Sequence, residues 1–233
     1  MTTVSADEAV LDNAVWESLI GPHAHLAQVH GLAARYPSEV AGFHALADSA
    51  DPQAWRDLTE LTGPDADVAV AGDVPAEHPG WEVVDRIPGV QLIDVSLRSS
   101  SLAEAVRLTG ADVPEILDLI ERTRPGPFRT RTIELGTYLG LRRGGALIAM
   151  AGERLHPTGW TEISAVCTDP AFRGQGLATA LVRAVAAGIR ERGETPFLHT
   201  AAANRTAIRL YESIGFQLRR PTSFARYRTI AAG

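Results

Sequence analysis

The stretch AFRGQGLATALV, residues 171–182, places two glycines around one residue, directly after an arginine and directly before a pattern typical of a helix. The first turn of a helix has backbone N–H groups without intrahelical partners, and the helix dipole adds partial positive charge there. Gly174 and Gly176 would let the backbone come close to a ligand, and Arg173 would add a forked donor. The stretch therefore predicts a binding site for a phosphate or pyrophosphate group.

Two other interpretations of this stretch fit less well. Gly174-x-Gly176-x-x-Thr179 departs from the dinucleotide-binding fingerprint in its last position. That fingerprint also requires a carboxylate about 20 residues further on, and the next predicted strand ends at residues 198–200 without one. A helix start that binds nothing would leave two glycines beside an arginine unexplained.

The composition is that of a globular chain whose charge is divided unevenly. Of the 233 residues, 45% are hydrophobic and 21% are charged, which suits one large domain or two modest ones. Residues 1–95 hold sixteen Asp and Glu against three Arg, whereas residues 96–233 hold twelve against nineteen. Together with the polar stretch Ser96–Ser101, this predicts two units: an α+β N-terminal domain over 1–98 and a ligand-binding domain over 99–233.

The same totals narrow the range of partners. The basic second unit suits an anionic ligand, and the acidic first unit would attract a cationic or amine-bearing molecule or dock on the basic unit. Scattered aromatics argue against nucleic acid, and no apolar run is long enough to cross a membrane. An acidic N-terminus without a cleavable leader predicts a cytoplasmic protein. Cys167 is the only cysteine, which excludes an internal disulfide and a cysteine-based metal site, and no other metal site is predicted.

Hydrophobic periodicity predicts mixed α and β elements throughout the chain. In the first unit the predicted helices are Asp7–Ile20 and Pro52–Leu61. The predicted strands there are Asp67–Ala71, Trp81–Val84 and Val90–Val95. The second unit is predicted to begin with a strand at Ala103–Leu108, a helix from Val113 and a hairpin that turns at Gly144–Gly145. A strand at Thr161–Thr168, a helix from Leu177 to near Gly193 and a strand in PFLHTAA follow. The unit is predicted to end with a helix in NRTAIRLYESIGF and a final hairpin of Phe216–Leu218 and Phe224–Thr229.

Two motifs within this order resemble a known family. Arg173-x-x-Gly176-x-Ala178 resembles the pyrophosphate loop of the GNAT acyltransferase superfamily. The stretch NRTAIRLYESIGF resembles a later element of that superfamily, with matching residues Asn204, Ala207, Tyr211, Gly215 and Phe216. The resemblance covers roughly residues 100–233 and implies a GNAT fold, α+β, with a mostly antiparallel and splayed central sheet. The pattern of the first half allows a degenerate copy of the same fold, like that in proteins resembling glycine N-acyltransferase.

The resemblance also implies a reaction and a cofactor. A GNAT protein transfers an acyl group from acetyl-CoA, or another acyl-CoA, to an amine of a small molecule or peptide by direct attack in a ternary complex. The residues expected to hold the cofactor by this resemblance are Val166, Thr168, Arg173, Gly174, Gln175, Gly176, Leu177, Ala178, Thr179 and Asn204. Among them, the Val166 amide is expected to face the thioester oxygen as an oxyanion donor.

The resemblance assigns the two proton transfers to candidate residues. Tyr211 is the expected acid for the departing thiolate. Glu162 is the expected base, with a pKa raised toward the working pH by its apolar strand. His199 is the rival base or a member of a water relay. The alternative function is a CoA-binding sensor or scaffold without turnover, and a homodimer is compatible with the sequence.

Overall fold

The computed structural model describes residues 6–72, 74–75 and 78–230 of the chain. Within them lie five α-helices: α1 Ala14–Ile20, α2 Pro52–Thr62, α3 Val113–Thr123, α4 Leu177–Glu191 and α5 Arg205–Ile214. The strands are β1 Gln28–His30, β2 Ala33–Arg35, β3 Phe43–Leu46, β4 Asp67–Ala71, β5 Trp81–Asp94, β6 Val106–Arg107, β7 Tyr138–Arg143, β8 Ala146–Glu153, β9 Trp160–Thr168, β10 Thr195–Ala201 and β11 Phe216–Thr229. The fold is α+β, as the sequence predicts.

All eleven strands join one mixed sheet in the order β1-β2-β3-β4-β11-β5-β10-β9-β8-β7-β6. Most neighbours are antiparallel, and the parallel pairs are β3 with β4 and β9 with β10. Strand β5, from the first half of the chain, lies between β10 and β11 from the second half. The hydrogen bonding of the sheet therefore crosses the predicted boundary at residue 98. A division into 1–98 and 99–233 by function, with a degenerate GNAT-like first half, stays a prediction.

Two predicted breaks in strands are wrong, because β5 and β11 pair along their whole length. Trp81–Val84 and Val90–Val95 belong to the single strand β5, and the predicted final hairpin is the single strand β11. Their register runs antiparallel from Phe216 opposite Asp94 to Thr229 opposite Trp81, with two bulges. Gly89, which lies between the two predicted strands, allows close packing within β5. A Cβ atom at this position would lie 2.9 Å from the Phe224 ring.

Other local predictions are confirmed or shortened. Gly144 and Gly145 have φ values of 57° and 86° and turn the β7–β8 hairpin, as a two-residue turn requires. The predicted strand at Ala103–Leu108 is reduced to β6, Val106–Arg107. The first three strands, which contain three or four residues each, are absent from the predictions because they are too short for an alternating pattern to emerge.

The core has separate clusters on the two faces of the sheet. On β10, consecutive side chains point to opposite faces: Leu198 packs in a cluster with α4 and α5, whereas Phe197 packs in a cluster with α1. His199 therefore faces the same side as Phe197, toward the N-terminal part of the chain. Cys167 is buried beside α3, as expected for a small hydrophobe, and burial raises the pKa of its thiol to about 11.

The acidic first half is ion-paired to arginines of the second half. Asp12 lies 2.8 Å from both Arg219 and Arg220, and Asp67 lies near Arg226 and Arg228. Of the two roles predicted for this acidic surface, these pairs support docking on the basic half. No α-helix in the described ranges combines the length and apolar character needed to cross a bilayer.

Candidate active site

The loop from Arg173 to Gly176 joins β9 to the first turn of α4. Gly174 and Gly176 have φ values of 79° and 75°, in the left-handed region that favours glycine. No heavy atom lies within 4 Å of the position that a Cβ would occupy at either glycine, so both face open space. All four residues of the loop are exposed. The loop can therefore bring its backbone into direct contact with a ligand.

The backbone N–H groups of this loop are free to bind an acceptor. In the part of the chain that the structure describes, the amides of residues 174–179 donate to no protein acceptor. The first bond of the helix runs from the Ala180 amide to the Gly176 carbonyl, at 3.0 Å. Arg173 places its Nε 3.4 Å from the Thr168 carbonyl, which keeps the side chain beside the loop. These donors and the dipole of the 15-residue helix α4 form an anion site.

A cleft opens beside this loop because β9 and β10 separate. The two strands are paired over three residues only, Trp160–Glu162 with Thr195–Phe197. Beyond that point β10 pairs with β5 on its other side, from Phe197 to Ala201. The C-terminal half of β9 is thus left without β10 as a neighbour, which confirms the splayed sheet.

A β-bulge shapes the exposed half of β9. Gly152 of β8 pairs with Ser164 and Met150 pairs with Cys167, so Ala151 alone opposes Ala165 and Val166. Ala165 has φ of 52°, which is strained for a residue with a side chain. The bulge places Val166 outside the regular pairing with β8, where its amide is the candidate oxyanion donor. A strained residue beside a cleft is typical of a functional site.

Thr168, at the end of the same strand, carries a buried hydroxyl without a partner. Its Oγ1 makes no hydrogen bond within the described residues. An unsatisfied buried hydroxyl costs about 1–3 kcal/mol. A bound ligand with a polar group at this position would remove that cost.

Asn204 immediately precedes α5, and Tyr211 lies on that helix. Asn204 caps the helix through its side-chain oxygen, which accepts from the Ala207 amide at 3.2 Å. Tyr211 is 8% exposed and shares a core cluster with Leu177, and Val166 packs against the same cluster. Burial alone raises the pKa of the Tyr211 phenol to about 12, so it keeps its proton at neutral pH. The structure thus gathers the loop, the bulged strand and Tyr211 around one face of the cleft.

Glu162 is fully buried and charged, in contrast to the prediction of a raised pKa. Arg154, the residue after β8, holds both carboxylate oxygens, at 2.6 and 2.7 Å. Burial by itself raises the pKa of this carboxyl, but the charge and hydrogen bonds of Arg154, together with His199, lower it to about 2. The predicted rise of the pKa is therefore wrong, because the sequence did not reveal that the arginine after the neighbouring strand would pair with this carboxylate.

His199 lies between Glu162 and a second polar residue that the sequence analysis missed. Its Nδ1 is 2.7 Å from Glu162 Oε1, and its Nε2 is 3.0 Å from Nε2 of Gln91 on β5. Gln91 is 2% exposed. A lone glutamine inside the apolar run GVQLI is the one signal by which the sequence could have indicated it.

His199 of this pair lines a small recess built largely by the N-terminal half. The recess is also lined by residues 11–15 and by Phe43, Gln91, Arg154 and Arg220, among others. Tyr211 lies in the cluster on the opposite face of the sheet.

Comparison with known proteins places this geometry in a family. Residues 138–225 match the family described as FR47-like protein. The crystal structure of a GNAT-family protein from Novosphingobium aromaticivorans is 38% identical, with a TM-score of 0.85 over 94% of this chain and 98% of that one. A GCN5-related N-acetyltransferase from Kribbella flavida, 14% identical with a TM-score of 0.64 over 99% and 98% of the two chains, shares the fold.

Two curated relatives match a shorter part of the chain. Mycothiol acetyltransferase of Thermomonospora curvata is 37% identical over 82 residues, which are 35% of this chain and 27% of that protein. N-alpha-acetyltransferase RimI of Mycobacterium tuberculosis is 36% identical over 83 residues, 34% of this chain and 51% of that protein. The match thus spans between about a quarter and a half of these relatives.

Proposed function

This chain belongs to the GNAT superfamily, and on that premise we propose that it is an acetyltransferase that transfers an acetyl group from acetyl-CoA to an amine. The observation that carries the proposal is the set of unpartnered amides at residues 174–179, beside the gap between β9 and β10. Donors of this kind at a helix start suit a pyrophosphate. The exposed half of β9 suits an extended arm that adds to it as a strand would.

The residues around the cleft fit the cofactor on three counts. The loop amides lack acceptors, the glycines face open space, and the Thr168 hydroxyl lacks a partner. We assign the pyrophosphate to Arg173, Gly174, Gln175, Gly176, Leu177, Ala178 and Thr179, and the arm to Val166, Thr168 and Asn204. The cofactor supplies a thioester whose carbonyl the amine attacks; another acyl-CoA would supply the same chemistry.

Tyr211 is the proposed acid for the thiolate that leaves. Its hydroxyl has no hydrogen-bond partner in the described part of the chain, and the raised pKa keeps the proton on the phenol at neutral pH. A protonated group beside a developing thiolate removes the cost of expelling a bare anion.

Glu162 and His199 are the proposed base, acting as a pair. Glu162 remains a carboxylate because Arg154 holds it, so it is a poor acceptor of the amine's proton. It instead holds a proton on His199 Nδ1, at 2.7 Å, which leaves Nε2 to accept the proton from the amine. Glu162 thus orients the base and stabilises the positive charge that the ring gains when it accepts the proton, and His199 is the base itself.

The acceptor is proposed to be an amine on a small molecule or a peptide. One curated relative is named for mycothiol and another for an N-alpha amine. The recess beside His199 is where such an amine would approach the pair. A cytoplasmic location and a homodimer stay predictions from the sequence.

The test is turnover of acetyl-CoA with two kinds of acceptor: peptides with a free N-terminal amine, and small primary amines including amino acids. Release of free thiol measures the rate, and mass spectrometry identifies the acetylated amine. Acetylation of one class above the rate without protein supports the proposal. Binding of acetyl-CoA with no transfer to any of these acceptors contradicts it and supports the sensor or scaffold instead.

A further inference from the structure

We infer that Gln91 is a positioning residue that keeps His199 neutral, with the lone pair on Nε2 held until an acceptor arrives. The inference rests on the proposed function, because it assumes that His199 accepts a proton from the acceptor. Gln91 lies on β5 and pairs in register with His199 on one side and Arg220 on the other. It is a buried amide between the two strands that carry the polar groups of the recess.

Three partners fix the orientation of the Gln91 amide. Its Oε1 accepts from Arg219 Nη1 at 2.8 Å, and its Nε2 donates to the Leu11 carbonyl at 2.9 Å. Because a guanidinium can only donate and a carbonyl can only accept, the reversed orientation would lose both bonds. The second N–H of the amide therefore points its donor at His199 Nε2, 3.0 Å away.

The same logic fixes the protonation of His199. Glu162 Oε1, held as a carboxylate by Arg154, accepts the proton on Nδ1. Nε2 then has to be the acceptor of the Gln91 N–H. A proton on Nε2 would set two donors against each other, so Gln91 disfavours the imidazolium form from that side.

The charged groups around the ring are distributed on both sides of it. Glu162 on β9 favours a charged ring, and Arg154, just after β8, offsets that carboxylate. On β11, Arg219 and Arg220 pair with Asp12 of the N-terminal segment. The rings of Phe197 and Phe224 pack edge-on against His199. Among these neighbours, Gln91 is the one whose bond depends directly on an unprotonated Nε2.

Gln91 also connects the base to the N-terminal half. The Leu11 carbonyl that orients the amide belongs to the 3-10 helix Ala6–Asn13, which Arg219 and Arg220 hold through Asp12. An amine that reaches Nε2 has to replace the Gln91 N–H. The N-terminal segment thus takes part in setting the state of the base.

The experiment compares Gln91→Glu and Gln91→Leu with the wild type, and uses Gln217→Leu on the exposed part of β11 as a matched control. Nitrogen-15 NMR of the histidine rings, with His199 assigned by the loss of its signals in His199→Gln, reports which ring nitrogens carry protons at neutral pH. A shift of the unfolding midpoint by acetyl-CoA shows that each variant is folded.

The expected result is one protonated and one bare ring nitrogen in the wild type and in Gln217→Leu, and two protonated nitrogens in Gln91→Glu. The introduced carboxylate accepts a proton that the amide had excluded. Loss of the free base should lower kcat at neutral pH by about 10²-fold in Gln91→Glu, with the KM for acetyl-CoA unchanged. In Gln91→Leu, the acid limb of the pH–rate profile should move to higher pH.

A doubly protonated ring in the wild type would overturn the inference, and so would rings that are identical in the wild type and Gln91→Glu. If Gln91→Glu does not fold, the wild-type spectrum and the pH profile of Gln91→Leu still decide the matter. A wild type that transfers acetyl to no amine contradicts the proposed function, whereas the ring protonation still tests the role of Gln91.

Discussion

Glu162 and His199 lie on adjacent strands, with Oε1 of the carboxylate 2.7 Å from Nδ1 of the ring, although the carboxylate is already bound through both oxygens to Arg154. A carboxylate in this position is unsuited to be the general base, because taking up a proton would leave the guanidinium of Arg154 buried without a counter-ion. Glu162 therefore influences the reaction by holding the His199 ring. The pair therefore combines a carboxylate with a ring nitrogen, Nε2, that can accept a proton.

Replacing the charge at residue 162 should destabilise the fold. Glu162→Gln leaves Arg154 buried without its counter-ion, and breaking a buried pair from one side typically costs about 3–5 kcal/mol. Urea denaturation should show this loss. The double variant Glu162→Gln with Arg154→Met should be more stable than the single variant, since it contains no unpaired charge. Equal losses in both would contradict a role for the ion pair.

The same carboxylate predicts a loss of stability in acid. The pKa of Glu162 falls from 4.5 to about 2 on folding, so its contribution is fully present above pH 4.5. That contribution should disappear as the pH falls from 4.5 toward 2. Over this range, the free energy of unfolding should therefore depend more steeply on pH in the wild type than in the double variant.

Removing the Tyr211 hydroxyl should slow the reaction without weakening cofactor binding. Tyr211→Phe should lower kcat by roughly 10²–10⁴-fold, because the thiolate loses its acid. Tyr138→Phe is the matched control, since Tyr138 is buried beside α3 in another cluster. Kinetics of thiol release and calorimetric titration with acetyl-CoA measure the two quantities. A variant that retains the wild-type kcat would exclude Tyr211 as the acid.

The glycines at the two ends of α4 allow backbone strain to be separated from binding. Gly176 has φ of 75° at its start and Gly193 has φ of 79° beyond its end, and both face open space. Either glycine-to-alanine change should cost about 1–2 kcal/mol of stability from the left-handed backbone. Gly176→Ala should in addition reduce affinity for acetyl-CoA, whereas Gly193→Ala should not. Equal affinities in the two variants would contradict the anion site.

Thr168 offers a test in which stability and binding change in opposite directions. Thr168→Val removes a buried hydroxyl that lacks a partner, so the protein without cofactor should become more stable by about 1 kcal/mol. Affinity for acetyl-CoA should fall roughly tenfold if the hydroxyl bonds to the arm. Thermal unfolding with and without acetyl-CoA measures both. A variant that binds as tightly as the wild type would remove Thr168 from the site.

The loop and α5 could be predicted from the sequence because their signals are local. The glycines at 174 and 176, the cap at Asn204 and the stop at Gly215 each act within a few residues of their own position. The pairing of β5 with β10 and β11 is different, because it joins residues more than a hundred positions apart. No local pattern states which strands will be neighbours.

The polar network of the recess was missed for the same reason. Arg154 follows β8 and pairs with Glu162 on the neighbouring β9, and Gln91 meets His199 only because β5 inserts beside β10. This insertion also changes how the first half can be tested. A truncation that removes residues 1–95 would remove β5 from the middle of the sheet, so it would report on folding before it reported on the choice of acceptor.

The central claim is that the loop at Gly174 and Gly176 holds coenzyme A, and the unfolding midpoint tests it most directly. A ligand at about 100 times its Kd adds roughly 2.7 kcal/mol of stability, which for a chain of this size raises the midpoint by about 5–10 °C. We predict that rise with acetyl-CoA, no rise with NADH, and a smaller rise with acetyl-CoA in Gly176→Ala. A rise with NADH alone would show that the loop binds a different phosphate ligand, and the proposed roles of Tyr211, Glu162 and His199 would fall with it.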